Sequence, residues 1–319
     1  MITPGKLLLY LYHRPVGLCR NSLRNGGPIA EWRTEVQRRQ MEAAASRLGA
    51  LPLFPDQARA TVHVMTGRRF WYQTVFCLHS LSRAARRTVD AELYDDGTVD
   101  PELARALSLL GPGVRITPAE EIRSRLEQFL PASRFPTLRE RWTNYPNIRK
   151  LTDVHLGRQG WKLVLDSDLL FFRRPDALLE WFSRPDRPLH AVDCQESYGY
   201  SRKLLERLAG APIPSLVNVG LCGLRSEALD WELLESWSAE LIAREKTNYY
   251  LEQALVAMLV AREPAAAVLP GSDYVTKPAE AEVLFPKAVM HHYVDNSKRW
   301  YFRYGWRRAV PEAARALPL

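Results

Sequence analysis

Cysteine is scarce and scattered in this 319-residue chain: Cys19, Cys77, Cys194 and Cys222 form no CxxC pair and stand at no zinc-like spacing from histidine. A disulfide framework and a structural zinc site are thereby excluded as organising devices, and a reducing, cytoplasmic compartment is the expected setting. Long apolar runs are missing too. Leu7-Leu8-Leu9-Tyr10-Leu11-Tyr12 is too short to cross a bilayer. No small-residue cleavage site follows it before the polar Arg20-Asn21-Ser22, so it is expected to be an N-terminal strand or docking segment. No P-loop, GxGxxG, HExxH or GxSxG occurs, which removes the commonest nucleotide triphosphatase, dinucleotide, zinc protease and serine hydrolase readings. There is neither an internal repeat nor a low-complexity segment. Acidic residues are the minority charge, 36 against 44 Lys and Arg, leaving a net +8 that favours an anionic partner: a phosphate-bearing substrate, a membrane surface or nucleic acid. No nucleic-acid-binding module accompanies the charge, and that partner is set aside.

What is present begins with Lys162-Leu163-Val164-Leu165-Asp166-Ser167-Asp168-Leu169-Leu170-Phe171-Phe172, a strongly apolar run broken at its centre by two carboxylates. A Leu/Val-rich run of this kind reads as a buried strand of a parallel sheet. Ionised Asp inside it is heavily penalised unless it is paired or carried where the chain leaves the core. Ligands of open α/β sheets bind at the carboxyl ends of strands, so Asp166 and Asp168 are expected to face a site. Hard oxygen donors at that spacing suit Mg²⁺ or Mn²⁺ bridging to a substrate phosphate.

Residues 1–60 read as an extension: the apolar segment, a Gly26-Gly27-Pro28 break, and a charged helix from about Pro28 to Leu48. Its apolar positions Ile29, Trp32, Val36, Met41, Ala44 and Leu48 recur at near-helical spacing, giving one face to pack on the main body. Strands then alternate with helices: strands at 62–65, 89–93 and 114–116, helices at 70–81, 118–130 and 148–156, the strand ending at Asp166, a strand at 189–193 ending in Asp193, a strand at 216–224, and helices at 227–244 and 249–262. This alternation argues for a mostly parallel α/β sheet. Residues 301–319 form a basic, aromatic tail. Trp300-Tyr301-Phe302-Arg303-Tyr304-Gly305-Trp306-Arg307-Arg308 suits either peripheral contact with the inner face of a membrane or packing on the sheet.

Over roughly residues 61–300 the chain resembles nucleotide-sugar-dependent glycosyltransferases of the GT-A fold, most closely the family 8 type that includes glycogenin and lipooligosaccharide galactosyltransferases. The residues that carry the resemblance lie along the chain. His292-Tyr293-Val294-Asp295-Asn296-Ser297-Lys298-Arg299-Trp300 follows the family's HxxGxxKPW pattern at His, Lys and Trp, and departs from it at Asp295 for Gly and Arg299 for Pro. Met65-Thr66-Gly67 with Phe70 follows the first strand, where the family carries a Thr and an aromatic that cradle the base. Lys150-Leu151 stands upstream of the Asp pair, Asn218-Val219-Gly220 is similar to an NxG strand, and Glu252-Gln253 is similar to an Asp-Gln pair that faces the donor sugar.

The resemblance implies a GT-A-like, Rossmann-type domain at 61–300 and a nucleotide-diphosphate sugar donor, UDP-linked. It implies Mn²⁺ or Mg²⁺ held by Asp166, Asp168 and His292, and transfer with retention to an unidentified glycan, lipid or protein acceptor. Thr66, Phe70, Lys150, Asp193, Asn218, Gly220 and Lys298 are carried over as donor-binding residues, with Gln253 and Glu252 at the sugar face as the catalytic pair. A cation there would neutralise the diphosphate as the sugar leaves, and Lys298 would add a point charge to the same leaving group. If the chemistry were inverting, Glu252 or Asp193 would be the general base. Two rival readings stand beside this one. A nucleotidyltransferase also uses paired carboxylates and a divalent cation, and needs a basic, Gly-rich loop that Thr66-Gly67-Arg68-Arg69 imitates. The other rival is a GT-A protein that binds sugar nucleotide or glycan without turnover, which Asp295 keeps open.

Overall fold

The computed structural model describes residues 26–55, 57–263 and 265–310. The Leu7–Tyr12 segment and residues 311–319 therefore lie outside the described residues. Among those described, no helix is long and apolar enough to cross a membrane.

The chain alternates as its pattern dictates. Strand β1 (Ala60–Thr66) leads to helix α2 (Trp71–Ala85), and β2 (Val89–Asp95) to α3 (Pro101–Ser108). After β3 (Val114–Thr117) come α4 (Ala119–Phe129), α5 (Pro136–Asn144) and α6 (Arg149–His155). Then follow β4 (Trp161–Leu165), β5 (Leu169–Phe171), α7 (Asp176–Ser183), β6 (Leu189–Val192), α8 (Arg202–Ala209) and β7 (Val217–Arg225). Helices α9 (Trp231–Glu245) and α10 (Leu251–Ala261), strands β8 (Ala267–Val268) and β9 (Tyr274–Thr276), helix α11 (Glu280–Leu284) and strand β10 (Met290–His292) complete the body. The helix expected over 227–244 is split: a 3₁₀ turn at Ser226–Ala228 precedes α9, whose start is capped by Asp230 accepting from Leu233 N.

Seven strands form one sheet in the order β3-β2-β1-β4-β7-β6-β8. Strands β1 to β4 run parallel, while β7 is antiparallel to both β4 and β6. Two strands antiparallel to a common neighbour run parallel to each other, so Asp166 after β4 and Asp193 after β6 emerge at the same edge. Successive strand residues face opposite layers, as the two-residue period requires: Leu163 and Leu165 join the apolar layer under α2, and Val164 joins the one under α10.

The apolar run at 162–172 is not one strand, as its composition suggests, but two. It leaves the large sheet at Leu165 and enters a second, three-stranded sheet, β5-β10-β9, at Leu169. The crossing is Asp166-Ser167-Asp168, where the backbone leaves the first ladder and the two carboxylates come to line a cleft. Strand β10 then pairs antiparallel with β5, setting His292 opposite Leu169 and so beside Asp168.

Helix α1 (Pro28–Ala45) precedes this body, with proline in its first turn as helix starts favour. Only its C-terminal half buries apolar side chains, Met41, Ala44 and Ala45. Ile29 and Trp32, expected on the packed face, are instead 70% and 66% exposed. The reason is polar. The first turns are held by Arg303, which donates to Thr34 Oγ1 (2.9 Å) and to the Ala30 carbonyl (2.5 Å), and Arg307 donates to Gln40 Oε1 (2.6 Å); these bonds fix the rotation of the helix. Residues 298–309 fold as a short helical run whose Tyr301 and Trp306 have no exposure, Trp306 meeting Phe76 edge-on at 5.3 Å.

Candidate active site

The strand ends described above converge. Asp166, Asp168 and His292 each offer one ligand atom, and those atoms lie within 4.8 Å of one another. His292 Nε2 stands 3.6 Å from Asp166 Oδ2 and 3.4 Å from Asp168 Oδ1. Neither contact has hydrogen-bond geometry, and both Nε2 and Asp168 Oδ1 are buried without a partner. Two buried, mutually facing polar atoms left unbonded are costly unless a third group joins them. A hard divalent cation fits that donor set of two carboxylates and one imidazole.

Gly220 makes the approach possible. Its carbonyl accepts from Asp166 N at 2.7 Å, and a β-carbon at this position would lie 2.2 Å from His292 Cε1. The ladder between β6 and β7 shifts register here, His190 pairing with Cys222 and Ala191 with Asn218, so Val219 to Leu221 bulge out of it.

Lysines surround the carboxylates. Lys298 Nζ lies 3.0 Å from Asp168 Oδ2, and Lys150 Nζ lies 3.2 Å from Asp166 Oδ1 and 3.5 Å from Glu252 Oε1. Burial works to raise the carboxyl pKa of Asp166 and Asp168, but Lys150 and Lys298 respectively, with His292, outweigh it and hold both below the ordinary value. For His292 burial acts downward, and the two facing carboxylates overcome it, holding the imidazole at about 9. Glu252 differs: burial dominates and pushes it up to about 7, with Lys150 only partly opposing.

Two cavities meet at this cluster. One, of about 530 Å³, is walled by Asp193, Asn218, Gly220, Glu252 and Gln253. The other, of about 370 Å³, is walled by Met65, Thr66, Phe70, Asp168 and Lys298. Lys150, Asp166 and His292 line both. Every residue carried over as metal-binding, donor-binding or catalytic thus lines one or both of these adjoining cavities. In the first cavity Gln253 Nε2 donates to Asp193 Oδ2 (2.8 Å) and to the Val217 carbonyl (2.9 Å). Asn218 Nδ2 donates to Thr276 Oγ1 (3.3 Å), while its Oδ1 accepts from Gly220 N (2.9 Å). In the second, Thr66 Oγ1 shares a hydrogen bond with Thr74 Oγ1 (3.0 Å), and Phe70 occupies the N-cap position just before α2.

Asp295 has a backbone φ of 49°, the left-handed region that favours glycine, which accounts for the Gly of the HxxGxxKPW pattern. Its carboxylate turns to Lys277 Nζ at 2.8 Å and is 71% exposed.

Other lining residues escaped the sequence reading. Asp96, Asn147 and Tyr249 line the second cavity, and Tyr145 fixes the 246–250 loop by donating to the Tyr249 carbonyl. The carboxylate pair Asp95-Asp96 before Gly97, at the carboxyl end of a parallel strand, was the available signal for Asp96. Lys277 had none, since β9 alone brings it to the cleft.

No family model matches this chain and no curated protein matches its sequence. Solved structures do. Mouse xyloside xylosyltransferase 1 in its apo form aligns at 14% identity over 76% of this chain and 99% of its own, with a TM-score of 0.51. The galactosyltransferase LgtC, in complex with donor and acceptor sugar analogues, aligns at 13% identity over 79% of this chain and 98% of its own, with a TM-score of 0.49. With a mostly parallel sheet flanked by helices and an Asp-Asp-His cluster at its strand ends, the chain has the GT-A glycosyltransferase fold.

Proposed function

We propose that this chain is a metal-dependent glycosyltransferase of the family 8 type, moving a sugar from a UDP-linked donor to a glycan, lipid or protein acceptor with retention of anomeric configuration. The observation that carries the proposal is the Asp166, Asp168 and His292 cluster, with its unbonded buried atoms, at the junction of two cavities. Mn²⁺ or Mg²⁺ bound there would neutralise the donor diphosphate and the charge that develops on it. Lys298, already beside Asp168, is placed to add its charge on the diphosphate side. Phe70 and Thr66 suit the base, and Asp193, Asn218 and Gln253 suit a polyhydroxylated ring.

Gln253 spends both amide hydrogens on Asp193 and Val217. Only its carbonyl oxygen is left to meet the donor sugar, as an acceptor for a hydroxyl or a partner for positive charge at the anomeric carbon. Asp193 accepts from Gln253 and from Cys194 N, and Glu252 faces Lys150. With both candidate bases so engaged, front-face displacement assisted by the departing diphosphate is favoured over an inverting mechanism. A nucleotidyltransferase is disfavoured because Arg68 of its would-be phosphate loop pairs with Asp100, and Arg69 lies over the Phe70 ring.

The test is calorimetric binding of UDP with and without Mn²⁺, followed by UDP release from a set of UDP-sugars. Metal-dependent binding in the wild type and its loss in Asp168→Asn, with the fold retained by circular dichroism, is expected. Equal affinity in the variant would overturn the site, and binding with no release from any donor would leave the non-catalytic reading in its place.

A further inference from the structure

Left-handed backbone is costly for a residue with a β-carbon, and it persists only where the surroundings hold it. Among the described residues five non-glycine positions adopt it, and two of them, Lys277 at φ 61° and Asp295 at φ 49°, meet at the cleft. Lys277 follows β9 and lines the cavity walled by Gln253, whereas Asp295 lines both that cavity and the one walled by Phe70. Lys277 makes two bonds to the same short stretch of chain. Its backbone N–H donates to the His292 carbonyl (2.8 Å), and its Nζ donates to Asp295 Oδ2 (2.8 Å). Together they close a ring across residues 292–295, which lead from the imidazole of the cluster into the 3₁₀ turn Asp295–Ser297 and on to Lys298.

The support from which Lys277 projects is itself held on three sides. Thr276 pairs in register with His292, donates from its hydroxyl to the Val192 carbonyl (2.9 Å) and accepts from Asn218 Nδ2 (3.3 Å). Stability does not account for the ion pair. Its side chains are 33% and 71% exposed, and a pair so open to water adds little to folding. Charge at the cleft does account for it. Asp295 sets a carboxylate at the edge of both cavities, in the stretch between His292 and Lys298, where a diphosphate would meet it as a like charge. Lys277 cancels that charge.

We propose that Lys277 is a positioning residue for the donor diphosphate. It staples the 292–298 stretch to β9 and neutralises the Asp295 carboxylate, so that this stretch meets the diphosphate without a net repulsive charge. The inference deepens the UDP-donor reading and rests on it. Lys277 and Asp295 are then a compensating pair: the chain carries a carboxylate where the HxxGxxKPW pattern has Gly because a cation on β9 answers it. Removing Lys277 harms donor binding only while Asp295 is present, and a purely structural role for Lys277 has no such dependence.

A double-mutant cycle on the full-length protein tests this, read by calorimetric titration of UDP at saturating Mn²⁺. Lys277→Met is expected to weaken UDP about fivefold at low salt, and by less at high salt where the exposed carboxylate is screened. Asp295→Gly, which removes the like charge and relieves the left-handed backbone, is expected to tighten UDP about threefold. The double variant is expected to bind at least as well as the wild type. A Lys277→Met protein within twofold of wild type at low salt, or a double variant as weak as Lys277→Met, would overturn the pairing. Should Lys277→Met fail to fold, Asp295→Gly carries the test by itself, and weaker UDP binding in it would overturn the proposal. A wild type that binds no UDP with Mn²⁺ would instead overturn the donor reading, and this inference with it.

Discussion

The cavity walled by Asp193, Asn218 and Gln253 and the cavity walled by Thr66, Phe70 and Asp96 share a floor yet are built on opposite plans. In the first, the polar side chains are already bonded to one another before any ligand arrives: Gln253 to Asp193, Asn218 to Thr276, Thr276 to the Val192 carbonyl. The second is lined by Met65, Phe70 and Pro146, and Tyr249, 70% exposed, stands where the two cavities meet. A pre-bonded polar wall discriminates sharply, because its side chains are held in place and only fixed acceptors such as Gln253 Oε1 are left to match a ligand hydroxyl. An aromatic slot tolerates variation, since every planar base presents a π face. The comparison teaches where selectivity should reside: in the half proposed for the sugar, with the nucleotide half supplying grip.

The strongest way to break this division is to strike the shared floor. Gly220→Ala drives a β-carbon into His292. It should cost roughly 4 kcal/mol of metal-dependent UDP binding, about a thousandfold, as disrupting a buried charged cluster does. Calorimetry checks it, and a variant that binds within threefold of wild type would mean His292 is no ligand.

The floor also sets a pH dependence. His292 is held at about 9 in the folded, metal-free protein against an ordinary 6.5. A group raised on folding gives its full stabilisation below the unfolded value and loses it as pH climbs through the folded one. Metal-free protein should therefore lose about 3 kcal/mol of stability between pH 6.5 and 9. Saturating Mg²⁺ should flatten that interval by holding the imidazole neutral. Urea unfolding at both pH values measures it, and a flat metal-free profile would deny that the carboxylates trap a proton there.

Sharpening the comparison means touching one half at a time. Gln253→Ala removes two hydrogen bonds from the polar wall and should lower turnover by about 2 kcal/mol, roughly thirtyfold, while UDP affinity stays within twofold. Phe70→Ala should do the reverse and more gently. UDP affinity falls about tenfold, the worth of one stacked base, and turnover at saturating donor is unchanged. Steady-state kinetics beside UDP titration separates the two, and a Phe70 variant that loses turnover instead would collapse the distinction.

Strand and helix alternation, and the exit of Asp166 and Asp193 at one sheet edge, were legible because apolar periodicity and strand-end carboxylates are local signals. The division of the 162–172 run between two sheets was not, because periodicity inside a continuous apolar stretch does not say which neighbour each half will pair with. That choice belongs to β10, more than a hundred residues on. The exposed Trp32 was misread for a similar reason: its helix is oriented by Arg303 and Arg307, whose partners lie at the other end of the chain. Asp295 for Gly looked like a defect in sequence, whereas its left-handed backbone and its pairing with Lys277 are visible only once β9 has been placed.

The pairing of β5 with β10 carries a consequence for how the protein comes into being. A ribosome delivers Asp166 and Asp168 long before His292 and Lys298, so the nascent chain holds two converging carboxylates with only Lys150 opposite them. The large sheet has its central strands in hand by then, but the loop from β4 has no ladder to enter until the last strand emerges. Helix α1, among the first segments made, waits just as long for Arg303 and Arg307. Synthesis should accordingly include a late closing step in which α1, the 298–309 run and the cluster settle together, and a chain cut short before residue 290 should neither bind metal nor escape proteolysis.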